Sequence, residues 1–91
     1  MDNGLVIKEI NDTERSMGFI SLAKKNTKIF PRNKEKIKIY CFPFKEPIFC
    51  TYDPKYNRIY GLRKLFLKYY DMSSLKIKLL KKNTYVMIFK K

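Results

Sequence analysis

Strict alternation between apolar and polar residues restricts the fold of this chain more than any other feature. In KIKIYCF (36–42) and in LKIKLL (75–80), apolar residues take every second position, with lysines between most of them. Because successive side chains of a strand point to opposite faces, both segments are predicted to be half-buried β-strands. TYVMIF (84–89) follows the second segment after the turn KKN, so these two should form a hairpin.

Further segments complete a mainly β pattern. Extended structure is predicted for LVIKEI (5–10), FISL (19–22), IFCTY (48–52) and NRIY (57–60), and polar turn for NDTERSMG (11–18). AKKNTKIFP (23–31) reads as a short helical or irregular turn. Leu62, Leu65, Phe66 and Tyr69 have the i, i+3, i+4, i+7 spacing of one helix face. About seven strands without a long crossover helix predict a mostly antiparallel sheet, and a small barrel would hide its edges.

Size and charge limit the number of domains and the partner. The 91 residues suffice for one domain, residues 1–91. Lys and Arg total 21 against 8 Asp and Glu, a formal net charge of +13. So many positive charges repel one another in the folded state, so we expect a polyanionic partner. DNA or RNA is expected first, and an anionic membrane surface second. AT-rich coding, which enriches Lys, Asn, Ile, Tyr and Phe together, is an alternative source of the lysines.

The rare residue types exclude several functions. Histidine is absent, and Cys41 and Cys50 lie in strand-like runs, so we expect buried free thiols and no metal site or cofactor. The start MDNGLVIKEI does not read as a signal peptide, and no apolar run approaches a membrane span. We therefore expect no membrane partner and an intracellular location: cytoplasm or nucleoid, or the nucleus in a eukaryote.

Cations and tyrosines concentrate in YDPKYNRIYGLRKLF (52–66), directly before the predicted helix. Asp53-Pro54 opens a turn there. Asp53-Pro54-Lys55 also resembles a nuclease D-x-K triplet, but lysine-rich chains produce it by chance and no second carboxylate is close in sequence. The three tyrosines of this stretch could contact nucleic acid or simply line one face of a sheet. Asn57 could likewise serve only to form a turn.

Three landmarks in order resemble the plant-type B-three DNA-binding domain. They are GFISLAKKNTKIFP with its Phe30-Pro31 ending, RIYGLRKLF with Gly61 and Phe66, and the hairpin formed by LKIKLL and TYVMIF. Ala23 stands where that family has proline, and Leu62 where it has tryptophan. A divergent relative, such as a restriction-enzyme recognition domain, fits these departures. The first half also resembles AbrB-like swapped-hairpin DNA binders, in which the helix near residue 62 is not expected.

The B-three resemblance implies a seven-stranded open pseudobarrel, mostly antiparallel, with two short helices and two arms that grip the major groove. The first arm would be residues 12–18 and the second residues 52–60. Arg58 could bind guanine, Asn57 adenine, and Lys55 and Lys64 phosphates. The predicted DNA-binding residues are Thr13, Arg15, Ser16, Lys24, Lys25, Tyr52, Lys55, Tyr56, Asn57, Arg58, Tyr60 and Lys64.

The sequence thus predicts a non-catalytic nucleic-acid-binding module, most simply for duplex DNA read in the major groove. One alternative is an RNA or single-strand binder that stacks bases on a basic aromatic sheet. Another is a basic protein-interaction domain. No small-molecule substrate is expected, and the sequence leaves the oligomeric state open.

Overall fold

The computed structural model describes residues 5–41, 46–69 and 71–90, and the elements below belong to those residues. The end of the predicted third strand at Phe42 lies outside them. Two short helices, α1 (Asp12–Met17) and α2 (Arg63–Lys68), and a 3₁₀ turn at Lys24–Asn26 accompany the strands. The strands are β1 (Leu5–Glu9), β2 (Phe19–Ser21), β3 (Glu35–Cys41), β4 (Ile48–Asp53), β5 (Arg58–Tyr60), β6 (Ser74–Lys81) and β7 (Thr84–Lys90).

The described strands form one curled sheet in the order β1-β6-β7-β3-β4-β5-β2. Five of the neighbouring pairs are antiparallel, and β3 pairs with β7 in parallel. The predicted mainly β, seven-stranded fold with two short helices is confirmed. β1 and β2 are the two edges of this half-barrel, so the gap between them must be covered by another element.

Alternation places the core on the inner face of the sheet. Ile37, Ile39 and Cys41 of β3 are buried, while Lys38 and Tyr40 between them point outward. Cys50 of β4 is buried as well, and both cysteines are free thiols, as predicted. The core therefore follows the period of two that the sequence shows.

Helix α1 corrects the prediction of a polar turn at residues 11–18. Asn11 caps the helix through its side chain, which accepts from the Glu14 N–H, and the Glu14 carboxylate accepts from the Asn11 N–H in return. This capping box stabilises a helix that lacks a strong apolar face. Gly18 ends the helix at φ 80°, and a Cβ there would lie 2.7 Å from Cβ of Arg63. Only glycine fits this conformation and this close approach.

Glu14 links the two edges of the sheet. Its side chain is 2% exposed, and Oε2 accepts from the Ser21 N–H of β2 at 2.6 Å and lies 2.9 Å from Nζ of Lys8 in β1. Arg15 adds a bond from its guanidinium to the Met72 carbonyl at 2.7 Å. α1 therefore covers the β2 edge and ties it to β1.

Helix α2 has the core-facing side that its spacing predicted. Leu62, Leu65 and Phe66 are buried, and Tyr69 is half-buried with its ring 5.2 Å from that of Phe89. Lys64 and Leu67 are exposed on the other side. The Leu62 N–H donates to the Gly18 carbonyl, so the end of α1 and the start of α2 are held together.

Candidate nucleic-acid interface

The β4–β5 turn has a defined backbone shape. Oδ1 of Asp53 accepts from the Lys55 N–H at 3.0 Å, and Asn57 adopts φ 53° in the left-handed region. Both features are typical of Asp and Asn in tight turns. The Asn57 carbonyl accepts from the Leu22 N–H at 2.8 Å, which fastens the turn to the segment after β2. Formation of this turn is therefore enough to account for an Asp at position 53 and an Asn at position 57.

A basic groove of about 790 Å³ lies between this turn and the loop that begins with the 3₁₀ helix. Four of its lining residues are cations and none is a carboxylate. An anion entering the groove would therefore meet positive charge from both sides. The lining residues are Lys24, Thr27, Lys28, Phe30, Pro31, Arg32, Tyr52, Pro54, Lys55 and Asn57.

Phe30 fixes the loop that carries these cations. Its ring is buried and stacks on Tyr52 at 4.8 Å and on Tyr85 at 4.9 Å between centroids. The Tyr85 hydroxyl donates to the Ile29 carbonyl on the same loop. Because this anchor lies in the core, Lys28 and Arg32 on either side of it are held at the rim of the groove.

Arg58 lies on the outer face of β5, close to two aromatic rings. Its Cζ is 4.6 Å from the Phe19 ring centroid and 5.5 Å from that of Tyr56. Nζ of Lys55 lies 5.4 Å from the centroid of the same Tyr56 ring. Stacking on aromatic faces orients a guanidinium and leaves its N–H donors free to point outward. We call Phe19, Tyr56 and Arg58 the arginine stack.

Two of the predicted tyrosines do not offer the free rings expected of them. Tyr52 is 1% exposed in the core, and burial, with Asp53 nearby, raises the pKa of its hydroxyl. Tyr60 is half-buried, its ring 5.8 Å from that of Phe19. Tyr52 and Tyr60 also lie on opposite faces, because Tyr52 pairs with inward-pointing Ile59 and Tyr60 with Thr51. Even spacing in sequence was misleading, since a turn interrupts the strand between them.

The residues of the predicted first arm lie on α1 and not in the groove. Arg15 is engaged with Oδ1 of Asp12 at 2.8 Å and with the Met72 carbonyl. The Ser16 hydroxyl donates to the Thr13 carbonyl at 3.2 Å. Thr13 and Ser16 are exposed, as is Lys64 on α2. The helix, which the sequence analysis did not predict, braces the two sheet edges through Glu14, and the DNA contacts of Thr13, Arg15 and Ser16 stay a prediction.

The structure gathers some predicted residues and adds others. Lys24, Lys55 and Asn57 line one groove, and exposed Lys25 adjoins Lys24. The sequence reading missed Thr27, Lys28 and Arg32, whose role depends on Phe30 packing against the distant Tyr52 and Tyr85. The signal in the sequence was KNTKIFPR, in which cations flank an apolar anchor.

The part of the chain that the structure describes also bears on metal binding and on membrane spanning. Within it, no three His, Cys, Asp or Glu side chains come together as metal ligands would. Neither of its helices has the length and apolarity needed to cross a bilayer.

Comparisons with known proteins agree on the fold. No protein-family model and no curated protein matches the sequence. Among solved structures, the N-terminal domain of Helicobacter pylori LlaJI.R1 matches with a TM-score of 0.68 at 12% identity, over 93% of this chain and 79% of that one. The hypothetical Arabidopsis thaliana protein At1g16640.1 matches with a TM-score of 0.62 at 14% identity, over 99% and 94%. The chain thus has a B-three-like pseudobarrel fold; identities this low show the fold alone.

Proposed function

We propose that this protein is a non-catalytic nucleic-acid-binding module that grips duplex DNA in the major groove. The observation that carries the proposal is the basic groove, in which two neighbouring segments converge without a carboxylate among the lining residues. Arg58 of the arginine stack directly follows Asn57, a lining residue of that groove. Positioning cations and a presented arginine are the two parts that sequence-specific DNA binding requires.

The roles follow from the geometry. Lys24, Lys28, Arg32 and Lys55 neutralise phosphates at the groove, which fixes the position of the protein on the duplex. Arg58 reads a base, because a guanidinium that stacks on aromatic rings can present two parallel N–H donors to O6 and N7 of guanine. In this scheme the second arm and the 3₁₀ loop form the grip, while α1 supports it.

The sequence resemblance and the fold support the same proposal. B-three domains, which the sequence resembles, bind duplex DNA through this pseudobarrel, and the two solved structures share its architecture with the chain. The single-strand alternative in its original form loses support, because Tyr52 is buried and lies on the opposite face of the sheet from Tyr60.

The non-catalytic part of the proposal has its own support. The chain contains no histidine, the commonest general base in enzymes. Asp53, the acid of the nuclease-like triplet, accepts a hydrogen bond from the backbone of its own turn. The triplet is therefore accounted for by the turn that it forms.

Binding to a random duplex across a salt series tests the proposal. If about five to eight phosphates are neutralised, the slope of log affinity against log salt should be about −4 to −7. Fluorescence anisotropy would measure it, with single-stranded DNA, RNA and an acidic protein as competitors. Absence of duplex binding at about 50 mM salt would contradict the proposal, since electrostatic attraction is strong there. Preferential displacement by the acidic protein would favour a protein-interaction domain.

A further inference from the structure

We propose that the outer face of β3 and β4 around Phe49 is a second nucleic-acid site, one that binds unpaired nucleotides by stacking. This surface is distinct from the basic groove. Phe49 is four residues before Asp53, where the β4–β5 turn begins, or about 13 Å along the strand. The proposal goes beyond the duplex grip, and Phe49, its central ring, belongs to neither the basic groove nor the arginine stack.

Phe49 is an exposed ring on a regular strand. The side chain lies within β4 and is 61% exposed. Lys38 of β3 is directly opposite it in the sheet. Nζ of Lys38 lies 5.8 Å from the ring centroid. A base stacked on the free side of the ring would bring its phosphate toward this ammonium group, and stacking on a sheet is how several single-strand modules bind.

The rings continue from Phe49 across the neighbouring strands. Tyr60 of β5 pairs with Thr51, two residues after Phe49, so it is the diagonal neighbour of Phe49 on the same face. Such neighbours are about 7–8 Å apart, within reach of aromatic side chains. Phe19 of β2 follows at 5.8 Å from Tyr60. The outer face thus carries a row of three rings on three adjacent strands.

Charge on this face suits a phosphate backbone. A shallow hollow of about 360 Å³, lined by Lys34, Thr51, Asp53 and Tyr60, adjoins the ring row. Exposed Lys36 pairs with Thr51 beside the hollow. Asp53 is the acidic residue in that lining, and its carboxylate accepts from the backbone of Lys55. Lys34, Lys36 and Lys38 outnumber it, so the face attracts anions.

The rest of the outer face gives an internal comparison. Ile88 of β7 is 55% exposed and pairs with Lys76 of β6, as Phe49 pairs with Lys38. Ile7 of β1 is the partner of the same Lys76 on its other side. These positions have exposed apolar groups and lysines but no π-face. A nucleotide that binds by stacking should therefore bind at Phe49 and not at Ile88, whereas an anion that is attracted by charge alone should not distinguish the two positions.

The absence of tryptophan from the chain allows a direct test. In Phe49→Trp, titration with oligothymidylate should quench the indole fluorescence as bases stack on it. Ile88→Trp is the matched control, with similar exposure and a paired lysine, and its fluorescence should stay nearly constant. Equal quenching at both positions, or none at position 49, would overturn the proposal.

A second variant separates this site from the duplex grip. Phe49→Leu keeps an apolar side chain but removes the ring, so oligothymidylate affinity should fall about 5- to 100-fold. Affinity for a random duplex should change less than twofold. Duplex binding with unchanged oligothymidylate binding in Phe49→Leu would overturn the second site and leave the proposed function standing. Quenching at position 49 without duplex binding would do the reverse.

Discussion

The guanidinium of Arg58 is positioned by two aromatic rings, those of Phe19 and Tyr56. Carboxylates would neutralise an arginine, whereas rings orient it and preserve its charge for a partner. Tyr56 is two residues from Arg58, but Phe19 lies far away in sequence. The sequence suggests Arg58 as a base reader, which stays a prediction, but it gives no sign that Phe19 holds the guanidinium.

Replacement of Arg58 should therefore affect specificity more than grip. Arg58→Ala should remove about 1–3 kcal/mol of discrimination at one base pair, the value of a bidentate contact. Arg58→Lys should restore charge but little discrimination, because lysine lacks the planar fork. Binding-site selection with each variant would measure this.

Lys28→Ala provides the matched comparison in the groove. It should weaken all duplexes about equally and reduce the salt slope by about one unit. Lys64→Ala, outside the groove lining, should change binding less. An unchanged selected motif in Arg58→Ala would show that Arg58 is not the base reader.

At the scale of elements, α1 shows why local patterns can fail. NDTERSMG has no apolar periodicity, so the sequence favours a turn. The helix forms because Asn11 and Glu14 cap each other and because Glu14 also binds Lys8 and Ser21. The capping box could be recognised locally, but the contacts to β1 and β2 depend on the closed sheet. Strands and α2 were predictable because their burial follows one regular period.

Removal of the Glu14 side chain should open the gap between the sheet edges. Glu14→Ala would leave two backbone N–H groups and the Lys8 ammonium without their acceptor, a loss of about 2–4 kcal/mol in the free energy of unfolding. Asp12→Ala is the control in the same helix. The Asp12 side chain is fully exposed and pairs with Arg15, so its removal should change the free energy of unfolding much less than removal of Glu14. Urea unfolding measures both, and equal losses would contradict the bracing role.

Across the whole molecule, the half-barrel separates a buried inner face from a basic outer face. Fold class was readable from the sequence because alternation sets this separation strand by strand. The groove could not be predicted from the sequence, because Phe30 joins its loop to Tyr52 and Tyr85, which are far away in sequence. Long-range packing of this kind leaves no periodic trace.

Burial on the inner face also makes the fold sensitive to alkaline pH. Burial raises the pKa of Cys41 to about 12, with Cys50 adding to the effect. It raises the pKa of Cys50 to about 12 as well, against an opposing contribution from Lys36. Both thiols should then stay protonated in the folded state at pH values where the unfolded chain has released those protons. The contribution of the buried thiols to stability is therefore complete below the ordinary thiol pKa. It is lost as the pH rises from there toward the thiol pKa of the folded state.

Between about pH 8 and 10, the two thiols together should lower the free energy of unfolding by about 2–4 kcal/mol. Urea unfolding at several pH values in the presence of a reductant would measure the loss. The double variant Cys41→Ala/Cys50→Ala should lack this part of the pH dependence, because alanine releases no proton in either state. Tyrosines and lysines also begin to lose protons near pH 10, but this loss is common to both proteins, so the difference between them reports the thiols. Equal alkaline losses in both proteins would show that the thiols titrate alike in the folded and unfolded chain, contrary to their position on the inner face.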